Sequence, residues 1–110
     1  MPIRVLIADD HEVVRIGLRS MFAGTDVEIV AEVGTGTAAL ETSLSLNLDL
    51  VLLDVRMPDG DGLKVLSRLK DEKPDLPILM ISTYDNSTYM ARSVALGASG
   101  YFLKDVSRET

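Results

Sequence analysis

The 110-residue sequence carries a formal net charge of −6, from 11 Lys and Arg residues against 17 Asp and Glu residues. This length fits a single domain, and the acidic balance argues against direct binding to the nucleic-acid backbone. Because cysteine is absent and no signal peptide or membrane span can be drawn, we expect a cytoplasmic protein without disulfides, thiolate metal sites or membrane contact.

Five short apolar runs predict five β-strands. Their Val, Ile and Leu residues are nearly continuous and do not alternate strictly with polar residues, which is typical of parallel strands buried on both faces. The runs extend over Ile3 to Ala8, Val27 to Val33, Leu48 to Leu53, Ile78 to Ile81, and Tyr101 to Leu103.

Apolar residues at helical spacing fill the four gaps between these strands. The repeated order of strand and helix predicts an α/β fold with right-handed crossovers and helices on both faces of the sheet. Gly97 lies where the fourth helix would need a C-cap. The spaced apolar positions are Val14, Leu18, Met21 and Phe22 in the first helix, Ala38, Leu40 and Leu44 in the second, Leu63, Leu66 and Leu69 in the third, and Tyr89, Met90 and Val94 in the fourth.

The last residues predict the beginning of a fifth helix, with Ser107 as its N-cap. The sequence ends soon afterwards at Thr110, so most of that helix is expected to be missing. We therefore interpret residues 1–110 as one domain that is truncated at its C-terminus and carries no output domain.

Polar and charged residues follow four of the five predicted strands. In an open α/β sheet, ligands bind outside the carboxyl ends of the strands, so these positions are the candidates for chemistry. If the strands are neighbours, three carboxylates, a hydroxyl and an ammonium converge on one crevice. The residues are Asp9 and Asp10 after the first strand, Asp54 after the third, Ser82 and Thr83 after the fourth, and Lys104 after the fifth.

This set of side chains predicts Mg²⁺-dependent phosphoryl chemistry. Neighbouring carboxylates repel one another unless a cation offsets their charge, and Mg²⁺ prefers such oxygen ligands. A carboxylate such as that of Asp54 can attack phosphorus and form an aspartyl phosphate. Lys104 could share the neutralisation of charge with the metal, and Ser82 could hydrogen-bond a phosphoryl oxygen.

Several of these residues also have simpler interpretations. Asp9 or Asp10 could cap the first helix, and Thr83 could take the place of Ser82. His11 stands beside the acidic pair and could be a ligand, but exposure to solvent is the stronger expectation. Tyr101 could simply pack in the core.

Two further segments have structural interpretations only. The run from Asp59 to Gly62 is superficially similar to a calcium loop, but it lacks the carboxylate spacing and the distal Glu, so it is predicted to be a turn. Basic residues on the third helix are expected to face solvent. They are Lys64, Arg68, Lys70 and Lys73.

Five elements in order resemble the signature of response-regulator receiver domains, and the resemblance spans the whole chain. It implies a flavodoxin-like, doubly wound sheet of five parallel strands in the order 2-1-3-4-5. It also implies a phosphoacceptor signalling domain rather than an enzyme, with Mg²⁺ as its one cofactor. The elements are Asp9-Asp10, Asp54 followed by Met57-Pro58, Asp61-Gly62, Ser82, and Tyr101 three residues before Lys104.

The resemblance also implies a role for each matching residue. The phosphoacceptor is Asp54, and the metal is bound by Asp54, by Asp9 and Asp10 directly or through water, and by the backbone carbonyl of Arg56. Ser82 is the switch hydroxyl that moves toward the phosphoryl group, and Tyr101 is the aromatic ring that turns inward behind it. Lys104 is the cation of the site.

Three stretches further resemble the NarL/LuxR-type subgroup, whose members usually carry a C-terminal helix-turn-helix DNA-binding domain. This implies a sensor histidine kinase as partner, homodimer formation on phosphorylation, and transcription as the output, with DNA bound by a domain absent here. The stretches are residues 9–15, 54–58 and 97–105.

Two alternatives stay open. One is a phosphorylation-independent interaction module that has the receiver fold. The other is a Mg²⁺-dependent phosphohydrolase with an Asp nucleophile, but the haloacid-dehalogenase type places that nucleophile in an Asp-x-Asp pattern after the first strand. This chain has Asp9-Asp10-His11 there, which disfavours the second alternative.

Overall fold

A computed structural model of the chain describes residues 2–82 and 87–103. Strands and helices alternate within these residues, as the apolar pattern predicts. Three of the strands begin or end one or two residues away from their predicted bounds. A short hairpin, made of two strands of two residues each, follows the third strand. In chain order the elements are β1 (Ile3–Ala8), α1 (Glu12–Phe22), β2 (Val27–Val33), α2 (Gly36–Ser45), β3 (Leu50–Asp54), β4 (Arg56–Met57), β5 (Gly60–Asp61), α3 (Gly62–Glu72), β6 (Ile78–Ser82), α4 (Ser87–Ala95) and β7 (Gly100–Leu103).

The five longer strands form one parallel sheet in the order β2-β1-β3-β6-β7. The short strands β4 and β5 pair with each other in an antiparallel hairpin. If the hairpin is left out of the count, the order is 2-1-3-4-5, which confirms the flavodoxin-like, doubly wound α/β sheet. The strand order reverses between β1 and β3, so a crevice is expected above the carboxyl ends of these two strands.

Side chains of β1 alternate between the two faces of the sheet. Leu6 and Ala8 join a large apolar cluster with residues of α2 and α3, whereas Val5 and Ile7 join a smaller cluster against which α1 packs. Burial on both faces is therefore confirmed for the inner strands. It is wrong for the two edge strands, because the residues of β2 are half-buried or exposed and Phe102 of β7 is 57% exposed.

The predicted inward faces of the helices are confirmed fully only for α3, where Leu63, Leu66 and Leu69 are buried. Helix α1 contacts the smaller cluster through Leu18 and Phe22, one turn apart, so Met21 faces outward and is 68% exposed. In α2 the fully buried positions are not the predicted ones, because small residues allow close packing there. In α4 Ser93 is buried, while Met90 and Val94 are exposed.

Gly97 ends α4 as predicted. Its φ of +101° is a left-handed conformation that glycine adopts without a steric penalty, and the N–H of Ala98 donates to the carbonyl of Ser93 at 2.9 Å. This bond is typical of a glycine-terminated helix end. The expected fifth helix, including Ser107, lies outside the described residues.

Two lysines of the basic run on α3 bind backbone carbonyls, so the prediction that the whole run faces solvent is wrong. The Lys73 ammonium lies 2.7 Å from the carbonyl oxygen of Ser43 and 3.0 Å from that of Leu46, at the end of α2. The Lys70 ammonium similarly contacts the carbonyl of Leu76 at 2.7 Å. Lys64 and Arg68 are exposed as expected. None of the described helices is long and apolar enough to cross a membrane.

Candidate functional site

The buried polar residues at the carboxyl edge of the sheet come from three adjacent strands. Asp9 directly follows β1, and Asp54 and Ser82 are the last residues of β3 and β6. The register pairs Ala8 with Leu53 and Asp54 with Ile81, so Asp9 is level with Asp54 and Ser82 lies one residue further along its strand. Asp9 and Ser82 are fully buried, and Asp54 is 3% exposed. Parallel pairing therefore brings residues that are far apart in the sequence to one edge.

Three carboxylates and one imidazole meet at this edge. Asp9, Asp10, His11 and Asp54 each offer one ligand atom, and these four atoms lie within 4.8 Å of one another. The imidazole Nδ1 of His11 is 3.1 Å from an oxygen of Asp9 and 3.3 Å from an oxygen of Asp10. As expected, His11 is exposed, with 58% of its side chain accessible. The convergence of the three carboxylates was predicted, whereas the inward turn of the imidazole was not.

This donor set fits Mg²⁺, since three of its four members are carboxylates, and Mg²⁺ is typically held by one or two carboxylates together with waters and phosphate oxygens. Asp10 has 31% of its side chain exposed, so water can reach the cluster from its side. Asp9 and Asp54 form its buried floor. The group can hold a hard dication and present it to a ligand that arrives from solvent.

The position of Asp9 is fixed from several directions. Its N–H donates to the carbonyl of Val33 at 2.9 Å, and its carboxylate accepts the N–H of His11 at 2.8 Å. The guanidinium of Arg15 donates to the Asp9 carbonyl and also forms an ion pair with Glu32 on β2, at 3.4 Å. Residue 11 itself is the N-cap of α1, so the alternative that Asp9 or Asp10 is the N-cap is wrong.

Arg15 was not among the predicted site residues. Its position six residues after Asp9, within the helix that follows, carries no motif by itself. Glu32 is one of two glutamates in β2, and the sequence does not show which basic residue of α1 it pairs with until the strand and helix are known to be adjacent.

The loop after Asp54 folds back on the end of β3. The N–H of Val55 donates to the carbonyl of Ile81 at 3.0 Å, and the N–H of Gly62 donates to the carbonyl of Val55 at 2.6 Å. The N–H of Arg56 is 3.4 Å from a carboxylate oxygen of Asp54. The backbone that contains the Arg56 carbonyl, the predicted metal ligand, is thus held against Asp54.

Asp59 joins this loop to helix α2. Its carboxylate accepts the backbone N–H groups of Gly36 at 2.7 Å and Thr37 at 2.9 Å, and the Thr37 hydroxyl at 2.8 Å. These hydrogen bonds, led by that from the Thr37 backbone, lower the pKa of Asp59 from 3.8 to about 2. The predicted turn is present as the β4–β5 hairpin, but the binding of a helix N-terminus by Asp59 was not predicted.

The other predicted residues lie further along the sheet. Tyr101 of β7 pairs with Met80 of β6, two residues before Ser82, and packs partly buried against the large apolar cluster. Lys104 and the alternative hydroxyl residue, Thr83, lie outside the described residues. Lys104 directly follows Leu103, the last residue of β7.

The family model of the response regulator receiver domain matches residues 5–110. The chain belongs to this family. As a receiver domain it is a part of two-component signalling systems, and its relatives are response regulators of the NarL/LuxR type. The predicted family membership is thereby confirmed.

Individual relatives agree with this assignment. Transcriptional regulatory protein YdfI of Bacillus subtilis is 41% identical over 108 residues, which cover 97% of this chain and 50% of that protein. The signal receiver domain of NarL from Mycobacterium tuberculosis is 34% identical with a TM-score of 0.87, covering 94% of this chain and 85% of that one. A chain of the CheX–CheY–BeF₃–Mg²⁺ complex from Borrelia burgdorferi is 26% identical with a TM-score of 0.90, covering 94% and 79%. The chain thus spans about half the length of the curated relatives it matches.

Proposed function

We propose that this receiver accepts a phosphoryl group on Asp54 in a Mg²⁺-dependent reaction. The observation that carries the proposal is the position of Asp54 at the end of the central strand, where it is buried, level with Asp9 and one residue before the level of Ser82. The similar CheX–CheY complex contains BeF₃ and Mg²⁺, which is consistent with this chemistry.

In the proposed reaction an oxygen of the Asp54 carboxylate forms a bond to phosphorus while the bond from phosphorus to its donor breaks. The donor group leaves with that electron pair, as acetate does when the donor is acetyl phosphate. Such a transfer needs positioned groups and neutralisation of the charge on the peripheral oxygens. Lys104 and the hydroxyl of Ser82 are the groups we assign to these oxygens.

We assign the metal to the carboxylates of Asp9, Asp10 and Asp54 and to the backbone carbonyl of Arg56, with Asp9 acting directly or through water. Bound there, Mg²⁺ would offset the repulsion between the carboxylates and the incoming phosphoryl oxygens. The loop contacts of Val55 and Gly62 hold the Arg56 backbone in place for this purpose.

The proposed output is a shift between two conformations. Contacts of the phosphoryl oxygens with Ser82 and Lys104 differ between the two states, and only such a difference in contacts can shift the population. Because β6 and β7 are paired, movement of Ser82 is coupled to Tyr101, which changes the face formed by α4 and β7. We propose a sensor histidine kinase as the cytoplasmic phosphodonor.

We further propose that the regulated process is transcription, through a separate helix-turn-helix domain and a phosphorylation-dependent homodimer. This rests on the relatives, of which YdfI is a transcriptional regulatory protein about twice as long as this chain. The receiver itself is acidic and is not assigned a contact with DNA.

Beryllofluoride binding tests the proposal. With Mg²⁺ and beryllofluoride, backbone NMR signals of Asp54, Ser82 and Tyr101 should shift in the wild-type chain and not in Asp54→Asn. An unchanged wild-type spectrum would contradict it. Turnover of a phosphomonoester in a colorimetric assay would instead favour the phosphohydrolase alternative. Undiminished output from the Asp54→Asn variant of the full-length regulator would favour the interaction module.

A further inference from the structure

His11 is the one nitrogen donor at the carboxylate cluster, among the residues that the structure describes. Its Nδ1 faces oxygens of both Asp9 and Asp10, at 3.1 and 3.3 Å. The backbone N–H of His11 donates to the same oxygen of Asp9, at 2.8 Å. The ring is therefore held close to the acidic pair by its own backbone, with Nδ1 on the inner side.

Among the described residues, the contacts recorded for the imidazole are with Asp9, at hydrogen-bonding distance, and with Asp10. His11 is the N-cap residue of α1, yet its side chain makes no capping hydrogen bond to the first turn. Its φ of −93° and ψ of 112° are ordinary extended values, so the inward orientation costs no backbone strain. What orients Nδ1 is its proximity to the carboxylates.

The spacing of the donor atoms suits a bound cation. Two ligands bound at about 2.1 Å to one ion can lie at most about 4.2 Å apart, as in Mg²⁺–oxygen or Zn²⁺–nitrogen coordination. The four candidate atoms lie within 4.8 Å of one another, so the longest separations must shorten by about half an ångström or more for all four to bind one ion. Exposed side chains such as His11 and Asp10 can make such movements.

Carboxylates and imidazole favour different metals. Oxygen ligands suit Mg²⁺, whereas an imidazole nitrogen suits Zn²⁺, Ni²⁺ and Cu²⁺, which also bind mixed sites more tightly than Mn²⁺ does. A site of carboxylates alone discriminates less strongly between these ions and Mg²⁺ than a site that also contains an imidazole. One added nitrogen raises the affinity for the transition metals and leaves that for Mg²⁺ nearly unchanged.

We propose that His11 is an additional metal ligand of this receiver and that its Nδ1 makes the acidic site selective for Zn²⁺-like and Ni²⁺-like dications over Mg²⁺. This proposal depends on the proposed function only because both concern the same carboxylate site. His11 thereby determines which cation occupies the site when transition metals compete with Mg²⁺.

The chain offers an unusually direct test, because His11 is its only histidine and it has no cysteine. In an untagged, ¹⁵N-labelled chain, one pair of ring-nitrogen signals reports on this residue alone. Addition of Zn²⁺ at constant pH should shift the Nδ1 signal strongly, whereas Mg²⁺ should shift it little. Ring signals that respond equally to the two ions would overturn the proposal.

Affinities supply the second readout. His11→Asn keeps a hydrogen-bond donor near Asp9 but removes the imidazole, so it separates a structural role from ligation. We expect Ni²⁺ affinity, measured by titration calorimetry, to fall at least about tenfold in His11→Asn, with Mg²⁺ affinity changed less than about twofold. An unchanged ratio of Ni²⁺ to Mg²⁺ affinity would contradict ligation by His11.

Asp54→Asn locates the ion and keeps the two proposals distinguishable. If Ni²⁺ binds in the cluster, Asp54→Asn should weaken it as well, and Ni²⁺ affinity that is unaffected would place the ion elsewhere and overturn the inference. Beryllofluoride binding with Mg²⁺ in the wild-type chain tests the proposed function separately. Its failure there would count against the phosphoacceptor, while a Zn²⁺-dependent shift of the Nδ1 signal would still support ligation by His11.

Discussion

Gly62, the first residue of α3, approaches the backbone of Asp54 so closely that a Cβ built on it would lie 2.0 Å from the Asp54 carbonyl oxygen. It would also lie 3.0 Å from the carbonyl oxygen of Val55. Backbone atoms cannot yield as a flexible side chain can, so any side chain at residue 62 must displace the backbone of Asp54 or Val55. The glycine of the Asp61-Gly62 pair is therefore required by contact with the site itself.

The Gly62→Ala variant should lose about 2–3 kcal/mol of its free energy of unfolding, measured by urea denaturation, because overpacking against backbone forces a local shift. Mg²⁺ affinity should fall with it. Gly17→Ala is the matched control, since nothing lies within 4 Å of a Cβ at that exposed helical position. It should gain about 0.5–1 kcal/mol through helix propensity. Equal stability of the two variants would contradict the contact.

Asp59 gives the chain a pH-dependent contribution to stability. Its pKa is lowered from 3.8 to about 2 in the folded state, so its stabilisation is complete above pH 4 and is lost as the pH falls through about 2. Wild type should exceed Asp59→Asn in urea midpoint at pH 7, and the difference should shrink from pH 4 downward. Asp75→Asn, at an exposed position, serves as control. A wild-type advantage that does not depend on pH would be inconsistent with the charged hydrogen bonds.

Variants of Arg15 and Arg19 distinguish two possible causes of a change in Mg²⁺ affinity, the positioning of Asp9 and the charge of the surface. Both guanidinium groups pair with Glu32, but only Arg15 also donates to the Asp9 carbonyl. Arg15→Gln should weaken Mg²⁺ binding roughly tenfold, as loss of a group that orients a ligand typically does, whereas Arg19→Gln should change it little. Since the two variants have the same net charge, titration calorimetry that finds equal affinities would rule out a positioning role for Arg15.

Lys73 should contribute to stability through the end of α2. Its ammonium donates to two carbonyls there, and hydrogen bonds to a charged group typically contribute about 1.5–3 kcal/mol. Thermal or urea unfolding should therefore show Lys73→Met destabilised by about 1.5 kcal/mol. Lys64→Met, on the same helix but exposed, should stay within about 0.5 kcal/mol of wild type. A similar loss in both would point to net charge as the cause.

The sequence predicts those features of this fold that depend on local pattern. Continuous apolar runs located β1 and β2 at their observed bounds, and the leucine spacing located the buried face of α3. Met21 was wrongly predicted to lie on the buried face of α1, because periodicity does not show how much of the helix surface the sheet covers. The edge position of β2 likewise follows from strand order, which the apolar pattern does not contain.

The candidate site was predictable where its residues end strands, since parallel pairing necessarily brings such positions to one edge. The supporting contacts were not. Asp59 binds N–H groups of residues 22 and 23 positions earlier, and Lys73 reaches carbonyls 27 and 30 positions earlier. Such contacts depend on how α2 and α3 pack together. From the sequence alone, an Asp in a turn or a Lys near a helix end could equally well be exposed to solvent without a protein partner.

We propose above that Asp54 is the phosphoacceptor of this receiver. Intact-mass analysis of the chain after incubation with acetyl phosphate and Mg²⁺, followed by peptide mapping of any modified product, is the most direct test of this role. We expect a gain of one phosphoryl group on Asp54 that requires Mg²⁺ and is absent in Asp54→Asn. No mass gain in the folded wild-type chain, or the same gain in Asp54→Asn, would contradict it.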